Sequence, residues 1–224
     1  MLPDQFYMSG LGIIIYLILY LAPLTVFFWS LWRNTKLPLI GIVPIGLVLI
    51  TLPLWDVYMT SLDASRLCKE QGGLHVYKTV EADGIASYGS EYWLNYGFSY
   101  VEHAGVGQGR HPKLYRDTLK NGKVESQEVS EISAVYSIRS GDNHKPLTKN
   151  ISRLSDQVFN RVSNEVLGEH VILNIHPGWF DSLTLGWAGK ILWSCGDRSP
   201  SGEKMNYRDV VQATLKPKGS EVSQ

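Results

Sequence analysis

Residues 11–55 read LGIIIYLILYLAPLTVFFWSLWRNTKLPLIGIVPIGLVLITLPLW, and this stretch decides the predicted fold. Leu11–Trp32 has 22 residues and Leu37–Trp55 has 19 residues, and neither run contains a charged side chain. As helices they would be about 33 Å and about 28 Å long, against a hydrocarbon core of about 30 Å. Two uncharged runs so close together are unusual in a water-soluble fold. The stretch therefore predicts a transmembrane helical hairpin over residues 1–55, with spans at about 11–32 and 37–55.

The charges beside the two runs predict their orientation. The polar turn between them carries Arg33 and Lys36, whereas residues 1–10 carry only Asp4. Positively charged loops stay in the cytoplasm. The expected partner is thus the lipid bilayer of a bacterial inner membrane, with both termini outside and the C-terminal domain in the periplasm. The first run lacks the basic start and the cleavage site of a signal peptide, so it is predicted to remain on the chain.

Composition limits the partners and the redox state. The 224 residues include 21 basic and 21 acidic side chains, so the formal net charge is zero. A chain without a basic field is not expected to bind nucleic acid. The cysteines are Cys68 and Cys195, and in an extracytoplasmic domain they predict one disulfide. In a cytoplasmic domain they would stay reduced, and two buried thiols are the alternative.

The remainder of the chain is predicted to be mainly β-structure. Residues 56–72 continue the second helix as a membrane-proximal helix, and Gly72-Gly73 ends it. Residues 73–215 contain about six to eight strand-like runs. Two of these runs flank Asn121-Gly122, the strongest short hairpin signal. Residues 216–224 are predicted to be a disordered tail. The expected fold class is α+β: the transmembrane hairpin followed by a mainly antiparallel β domain, as a sheet, a half-open barrel or a small sandwich.

A group of short motifs carries a family resemblance. The motifs are Trp55-Asp56, Leu67-Cys68, Gly72-Gly73 and Val76-Tyr77-Lys78-Thr79-Val80. Over about residues 50–80 the chain resembles uncharacterised bacterial two-span membrane proteins with a C-terminal extracytoplasmic domain. The resemblance implies the same topology. It implies no activity, because none is known for that family.

An aromatic-rich segment, residues 81–96, contains the ligand-binding candidates Tyr92 and Trp93. Such a segment serves as a binding lip, lies on lipid headgroups or packs over a sheet edge, and packing is the favoured interpretation. The glycines at 105, 107 and 109 do not match a dinucleotide-binding fingerprint, since the spacing differs and no helical pattern follows.

The histidines do not form a metal-binding pattern. His170 and His176 are candidates for one strand face, but six residues of strand separate them by about 20 Å. The other four lie in separate elements without ligand spacing: His75, His103, His111 and His144. We therefore predict no metal and no cofactor. Cys195 is a weaker candidate nucleophile, because a second cysteine favours the disulfide.

These observations favour a non-enzymatic, membrane-anchored envelope protein whose outward β domain binds a partner protein or a small envelope ligand. One alternative is a cytoplasm-facing membrane effector with a β-barrel sensor domain. Its pocket would need arginine and aromatic side chains, and Tyr136, Arg139 and Arg161 are the candidates. Another alternative is a membrane-anchored hydrolase that uses His170 or His176.

Overall fold

The computed structural model describes residues 14, 16–34, 39–105, 113–140, 145–176, 178–179, 193–199 and 201–218. Within these described ranges, a short π-helical segment at Tyr16–Leu21 is followed by the α-helices α1 (Ala22–Asn34), α2 (Leu39–Gln71), α3 (Ser90–Tyr96) and α4 (Tyr207–Thr214). The strands are β1 (Gly73–Val76), β2 (Val80–Ala82), β3 (Gly84–Ala86), β4 (Tyr100–Ala104), β5 (Leu114–Lys120), β6 (Lys123–Val129), β7 (Tyr136–Arg139), β8 (Lys145–Pro146), β9 (Ile151–Asn160), β10 (Val166–Ile175), β11 (Trp193–Cys195) and β12 (Leu215–Pro217).

Ten strands form one mixed sheet, with eight in the order β1-β10-β9-β7-β3-β4-β5-β6, while β11 pairs with β10 and β8 pairs with β9. The remaining two strands, β12 and β2, form a separate parallel pair. The α+β class is confirmed, but the predicted mainly antiparallel arrangement misses the parallel centre of the large sheet. Strand β3 pairs in parallel with both β4 and β7. A parallel pair requires a crossover, and α3 supplies it between β3 and β4.

The predicted N-terminal transmembrane hairpin is wrong. Among the described residues, no helix is both long enough and apolar enough to cross a membrane. In the described part of the first apolar run, a 6-residue π-helical segment precedes the 13-residue α1, whereas a span needs about 20 residues. The second run is the beginning of α2, which continues through Asp56, Asp63 and Arg66.

The chain divides into two compact units. The helical unit contains residues 1–72, 145–153 and 172–195, and the β unit contains residues 73–144, 154–171 and 196–224. The predicted domain bounds at residues 55, 72 and 215 stay a prediction. Of the predicted tail, Lys216 and Pro217 belong to β12, and residues from 219 onward lie outside the described residues.

In the helical unit, the C-terminal half of α2 buries one face. Val57, Ala64 and Leu67 are buried, and so are Thr60 and Ser61 between them. Buried positions therefore recur every three to four residues, as expected for one face of a helix. The helix ends as predicted: Gly72 donates its N–H to the carbonyl of Cys68 at 3.1 Å, and Gly73 has a φ of 102°.

The disulfide is confirmed. Cys68, in the last turns of α2, is bonded to Cys195 at the end of β11, and their Cα atoms are 6.0 Å apart. This separation lies within the ordinary range of about 4.4–6.8 Å. Both cysteines belong to the helical unit.

In the β unit, one apolar cluster joins β-strands to α3 and α4. Trp93 lies at its centre and is fully buried, with Phe98 and Tyr207 rings at 6.2 and 6.4 Å. The buried members are Ala82, Ile85, Trp93, Leu94, Phe98, Val101, Val158, Leu167, Val210, Val211 and Leu215. The predicted hairpin is confirmed at β5–β6, where Asn121 and Gly122 adopt φ values of 51° and 74°.

Candidate functional site

The β unit contains a cavity of about 600 Å³. Its wall combines apolar, aromatic and hydroxyl side chains with one acidic and two basic ones. The lining residues are Ala86, Ser87, Tyr88, Glu102, His103, Ala104, Ile132, Ser137, Ile138, Arg139, Ser140, Phe159 and Tyr207. A cavity of this size, with an apolar lining and a few polar groups, is typical of a small-molecule site.

The parallel centre of the sheet positions most of the wall. Ala86 at the end of β3 pairs with Ser137 of β7 and with Glu102 of β4. The Ser137 hydroxyl also donates to the Ala86 carbonyl at 3.2 Å. Strand β9 pairs with β7 and places Phe159 opposite Ser137. The adjacent strands β4, β3 and β7, together with β9 beside β7, therefore bring together residues that are far apart in the chain.

Glu102 is a fully buried carboxylate whose oxygens are all occupied. Its Oε1 accepts from Arg116 Nη2 at 2.6 Å and Nε at 2.8 Å, and its Oε2 accepts from the backbone N–H groups of Ser133 and Ala134 at 2.7 Å each. Burial alone would raise the pKa of Glu102, but these hydrogen bonds from Ala134, Arg116 and Ser133 outweigh it and lower the pKa. Glu102 therefore holds the Ser133–Ala134 segment in place.

His103 faces a second buried carboxylate. Its Nε2 lies 2.9 Å from Oδ2 of Asp117, and its ring stacks on Tyr115 with centroids 5.9 Å apart. Burial would raise the pKa of Asp117, but hydrogen bonds from Ser126, Ser90 and His103 lower it. Within the described ranges, the His103 ring makes no hydrogen bond to a hydroxyl or a thiol. The pair therefore lacks the bonded nucleophile of a catalytic triad.

Arg139 ends β7 and lies on the cavity wall. Its guanidinium carbon is 4.5 Å from the centroid of the Phe159 ring. Stacking on an aromatic face is a favourable arrangement for arginine, and it leaves the in-plane N–H donors available. Among the described residues, Arg139 has no carboxylate within ion-pair distance.

The aromatic candidates Tyr92 and Trp93 lie in the protein interior. Trp93 is fully buried, and its Nε1 donates to the Ser87 hydroxyl at 3.1 Å. Tyr92 is half-buried, accepts a hydrogen bond from Gln212 at 2.8 Å, and carries the Arg208 guanidinium over its ring at 4.1 Å. The structure therefore gives both side chains packing roles, and neither lines the cavity.

The three candidates for a sensor pocket, Tyr136, Arg139 and Arg161, do not all line the cavity. Arg139 lines the cavity, whereas Tyr136 packs against the apolar cluster. Arg161 donates from Nη1 to the carbonyl oxygens of Ile132 at 2.7 Å and Ala134 at 3.1 Å. Arg161 therefore braces the same 132–134 segment that Glu102 holds.

The two histidine candidates have unrelated surroundings. His170, in the β unit, is 1% exposed, and its Nε2 lies 2.7 Å from the carbonyl oxygen of Gly196. His176, in the helical unit, has its Nε2 2.8 Å from the hydroxyl of Ser152. Ser152 is only 4% exposed, which leaves little access for a substrate to a serine–histidine pair. His111 and His144 lie outside the described residues.

Sequence reasoning missed most of the cavity wall, including Glu102, His103, Ser137, Phe159 and Tyr207. Of these, only Glu102 and His103 gave a usable sequence signal, because they are two adjacent titratable residues within one short strand, Tyr100–Ala104. In the described part of the chain, no group of three or more histidine, cysteine or acidic residues is placed to hold a metal ion.

Comparison with known proteins adds no family. No family model matches the chain, and neither a curated protein nor a solved structure matches it significantly.

Proposed function

We propose that this is a binding protein of the cell envelope whose β unit takes a small ligand into the cavity. The cavity of about 600 Å³ carries the proposal. Its size suits a drug-sized molecule, and the apolar residues Ile132 and Phe159 of its wall offer a surface for hydrocarbon. The cavity wall offers no bonded nucleophile–base pair among the described residues, so binding is favoured over catalysis.

The envelope location is supported by the bridge between Cys68 and Cys195. Disulfides persist in oxidising compartments such as the bacterial periplasm and are rare in the cytosol. The cytoplasm-facing sensor would share the same cavity, so the compartment separates the two hypotheses. Thiols can be alkylated in intact cells before lysis. Two blocked thiols in the native protein would favour the sensor, and none would favour the envelope protein.

A lipid bilayer stays a proposed partner, supported by the surface of α1. Val26, Phe27, Trp29 and Trp32 are 64%, 57%, 57% and 52% exposed. Contiguous exposed apolar side chains mark contacts with proteins or membranes. Neighbouring positions such as Val26 and Phe27 point to different sides of a helix, so this surface is not one narrow stripe. Such a surface fits a lipid phase better than a protein groove.

The lipid contact can be tested by flotation with phosphatidylethanolamine–phosphatidylglycerol liposomes. We expect the wild-type chain to float and a Phe27→Ser/Trp29→Ser/Trp32→Ser variant to float less. Thr25→Ser, at an exposed polar position on the same helix, is the matched control. Equal flotation of the triple variant would remove α1 as the lipid-contacting surface.

The cavity can be tested by filling it. Ser137→Phe adds a ring at the cavity wall, and Ser130→Phe makes the same change at an exposed serine outside the wall. N-phenyl-1-naphthylamine, a neutral fluorophore that brightens in apolar sites, serves as the probe. We expect saturable binding by the wild type and Ser130→Phe and its loss in Ser137→Phe, with circular dichroism confirming that all three fold. Equal binding by all three would refute the cavity as the ligand site.

A further inference from the structure

We infer that the ligand is an organic anion with a hydrocarbon body, and that Arg139 binds its charged group. This inference rests on the proposed function, since it names the ligand class of the same cavity. It is carried by the charges of the wall, by the placement of the Arg139 guanidinium and by the hydrogen bonds of the wall hydroxyls.

Among the described residues, Arg139 is a basic side chain of the wall that has no carboxylate partner. Glu102 and Arg116 form an ion pair in which Oε1 of Glu102 accepts from both Nη2 and Nε of Arg116, at 2.6 and 2.8 Å. The His103 ring is hydrogen-bonded to Asp117, with Nε2 and Oδ2 at 2.9 Å. Arg139 has no carboxylate partner within the described segments. An arginine is always charged at ordinary pH, so the wall carries a local excess of positive charge at this residue.

The guanidinium of Arg139 lies over an aromatic ring of the wall. Its central carbon is 4.5 Å from the centroid of the Phe159 ring, and Phe159 itself lines the cavity. The five N–H donors of a guanidinium lie in its own plane as a rigid fork. That fork matches the two oxygens of a carboxylate or sulfonate group, and charge-assisted hydrogen bonds of this type are the stronger ones.

The serine hydroxyls of the wall do not compete for this role. Ser87 donates to the carbonyl of Tyr88 at 3.1 Å, Ser137 donates to that of Ala86 at 3.2 Å, and Ser140 donates to the carboxylate of Asp156. Each serine hydroxyl hydrogen is therefore used within the protein, and the tyrosine hydroxyls of the wall are neutral donors, which bind an anion less strongly than a guanidinium does. Arg139 is the donor best placed for a negative group.

The rest of the wall indicates what the uncharged part of the ligand is made of. Ile132 and Phe159 provide apolar surface on the same wall. A simple inorganic anion would leave that surface in contact with water, whereas an aryl or acyl acid would cover it. The class that fits both halves of the cavity is an organic acid with one anionic head.

The test uses two probes that differ only by an anionic group. 8-Anilinonaphthalene-1-sulfonate is N-phenyl-1-naphthylamine with a sulfonate, and both are titrated against the full chain by fluorescence. We expect the wild type to bind the sulfonate about tenfold or more tightly than the neutral probe, the scale of a charge-assisted hydrogen bond. Arg139→Gln should weaken sulfonate binding about tenfold and change neutral binding less than twofold, whereas Arg139→Lys should retain part of the preference.

The controls separate the inference from the proposed function. Arg198→Gln removes an exposed arginine of the β unit that does not line the cavity, and it should leave both affinities unchanged. If Ser137→Phe blocks both probes but Arg139→Gln leaves the sulfonate preference intact, the cavity binds ligands and the anion inference is overturned. If Arg139→Gln weakens both probes equally, Arg139 only shapes the cavity, which also overturns the inference. If Ser137→Phe affects neither probe, the proposed function itself fails.

Discussion

Replacing Glu102 by alanine should destabilise the β unit severely, because five hydrogen-bond donors converge on this buried carboxylate. Glu102→Ala removes the acceptor of two backbone N–H groups, those of Ser133 and Ala134, and of the Arg116 side chain. Ala134 is 1% exposed, so water cannot readily replace the lost acceptor. A buried donor left without a partner costs about 1–3 kcal/mol, and breaking a buried ion pair costs about 3–5 kcal/mol.

The Arg116 side chain is 36% exposed, and this reduces the electrostatic share of the loss. Water can solvate a guanidinium at that exposure, so we assign most of the cost to the two backbone groups. We expect a total decrease in the free energy of unfolding of about 3–4 kcal/mol. This is a large part of a typical domain stability of about 5–15 kcal/mol.

Urea unfolding followed by circular dichroism measures this loss. Glu102→Gln, which keeps the shape and one acceptor oxygen, should lose less than Glu102→Ala. A double-mutant cycle with Arg116→Ala isolates the coupling between the two side chains. A loss below about 1 kcal/mol for Glu102→Ala would refute the assignment of a structural role to this carboxylate.

Three further predictions concern pH, packing and the disulfide. The folded-state pKa values of Glu102 and Asp117 are lowered, so the stability that these carboxylates contribute is complete above their unfolded-state pKa values of about 4. That stability is lost as the pH falls through the folded-state values, so urea midpoints should be constant from about pH 7 to 5 and drop below about pH 4. Midpoints that do not change with pH would contradict this. Gly168→Ala would place a Cβ atom 2.5 Å from Oγ1 of the buried Thr214 and should lower the free energy of unfolding by about 1–3 kcal/mol. Adding Thr214→Ala should restore part of that stability, and an unchanged stability of Gly168→Ala alone would contradict the close packing. Cys68→Ser opens a loop with a sequence separation of 127 residues and should cost about 4–5 kcal/mol, and reductant should lower the stability of the wild type but not of the variant.

Features set by local chemistry were predictable from the sequence. The β5–β6 hairpin lies where Asn121-Gly122 predicts it, because left-handed backbone at both positions selects a tight turn. The end of α2 at Gln71 follows from the two glycines after it. The disulfide was predictable as well, since only two cysteines were present to pair.

Features that depend on tertiary context were not predictable. Apolar composition alone indicated a membrane hairpin, but it does not show where a helix starts or stops, and the first run divides at Ala22. Strand β3 has three residues, too few for an alternating pattern to appear. The seven-residue α3 lies between Gly89 and Gly97, both in left-handed conformation, within a segment that looked irregular in sequence.

The candidate site illustrates why residue type alone does not assign a role. Arg116, Arg139 and Arg161 are chemically identical, and all three lie on or near strands of the β unit. Arg116 is bound by a buried carboxylate, and Arg161 is bound by two carbonyl oxygens. Among the described residues, Arg139 contacts an aromatic ring instead, because the antiparallel β7–β9 register brings Phe159 beside it. Its availability to a ligand is therefore a property of strand register, which is fixed by contacts between residues about 20 positions or more apart and leaves no local pattern in the sequence.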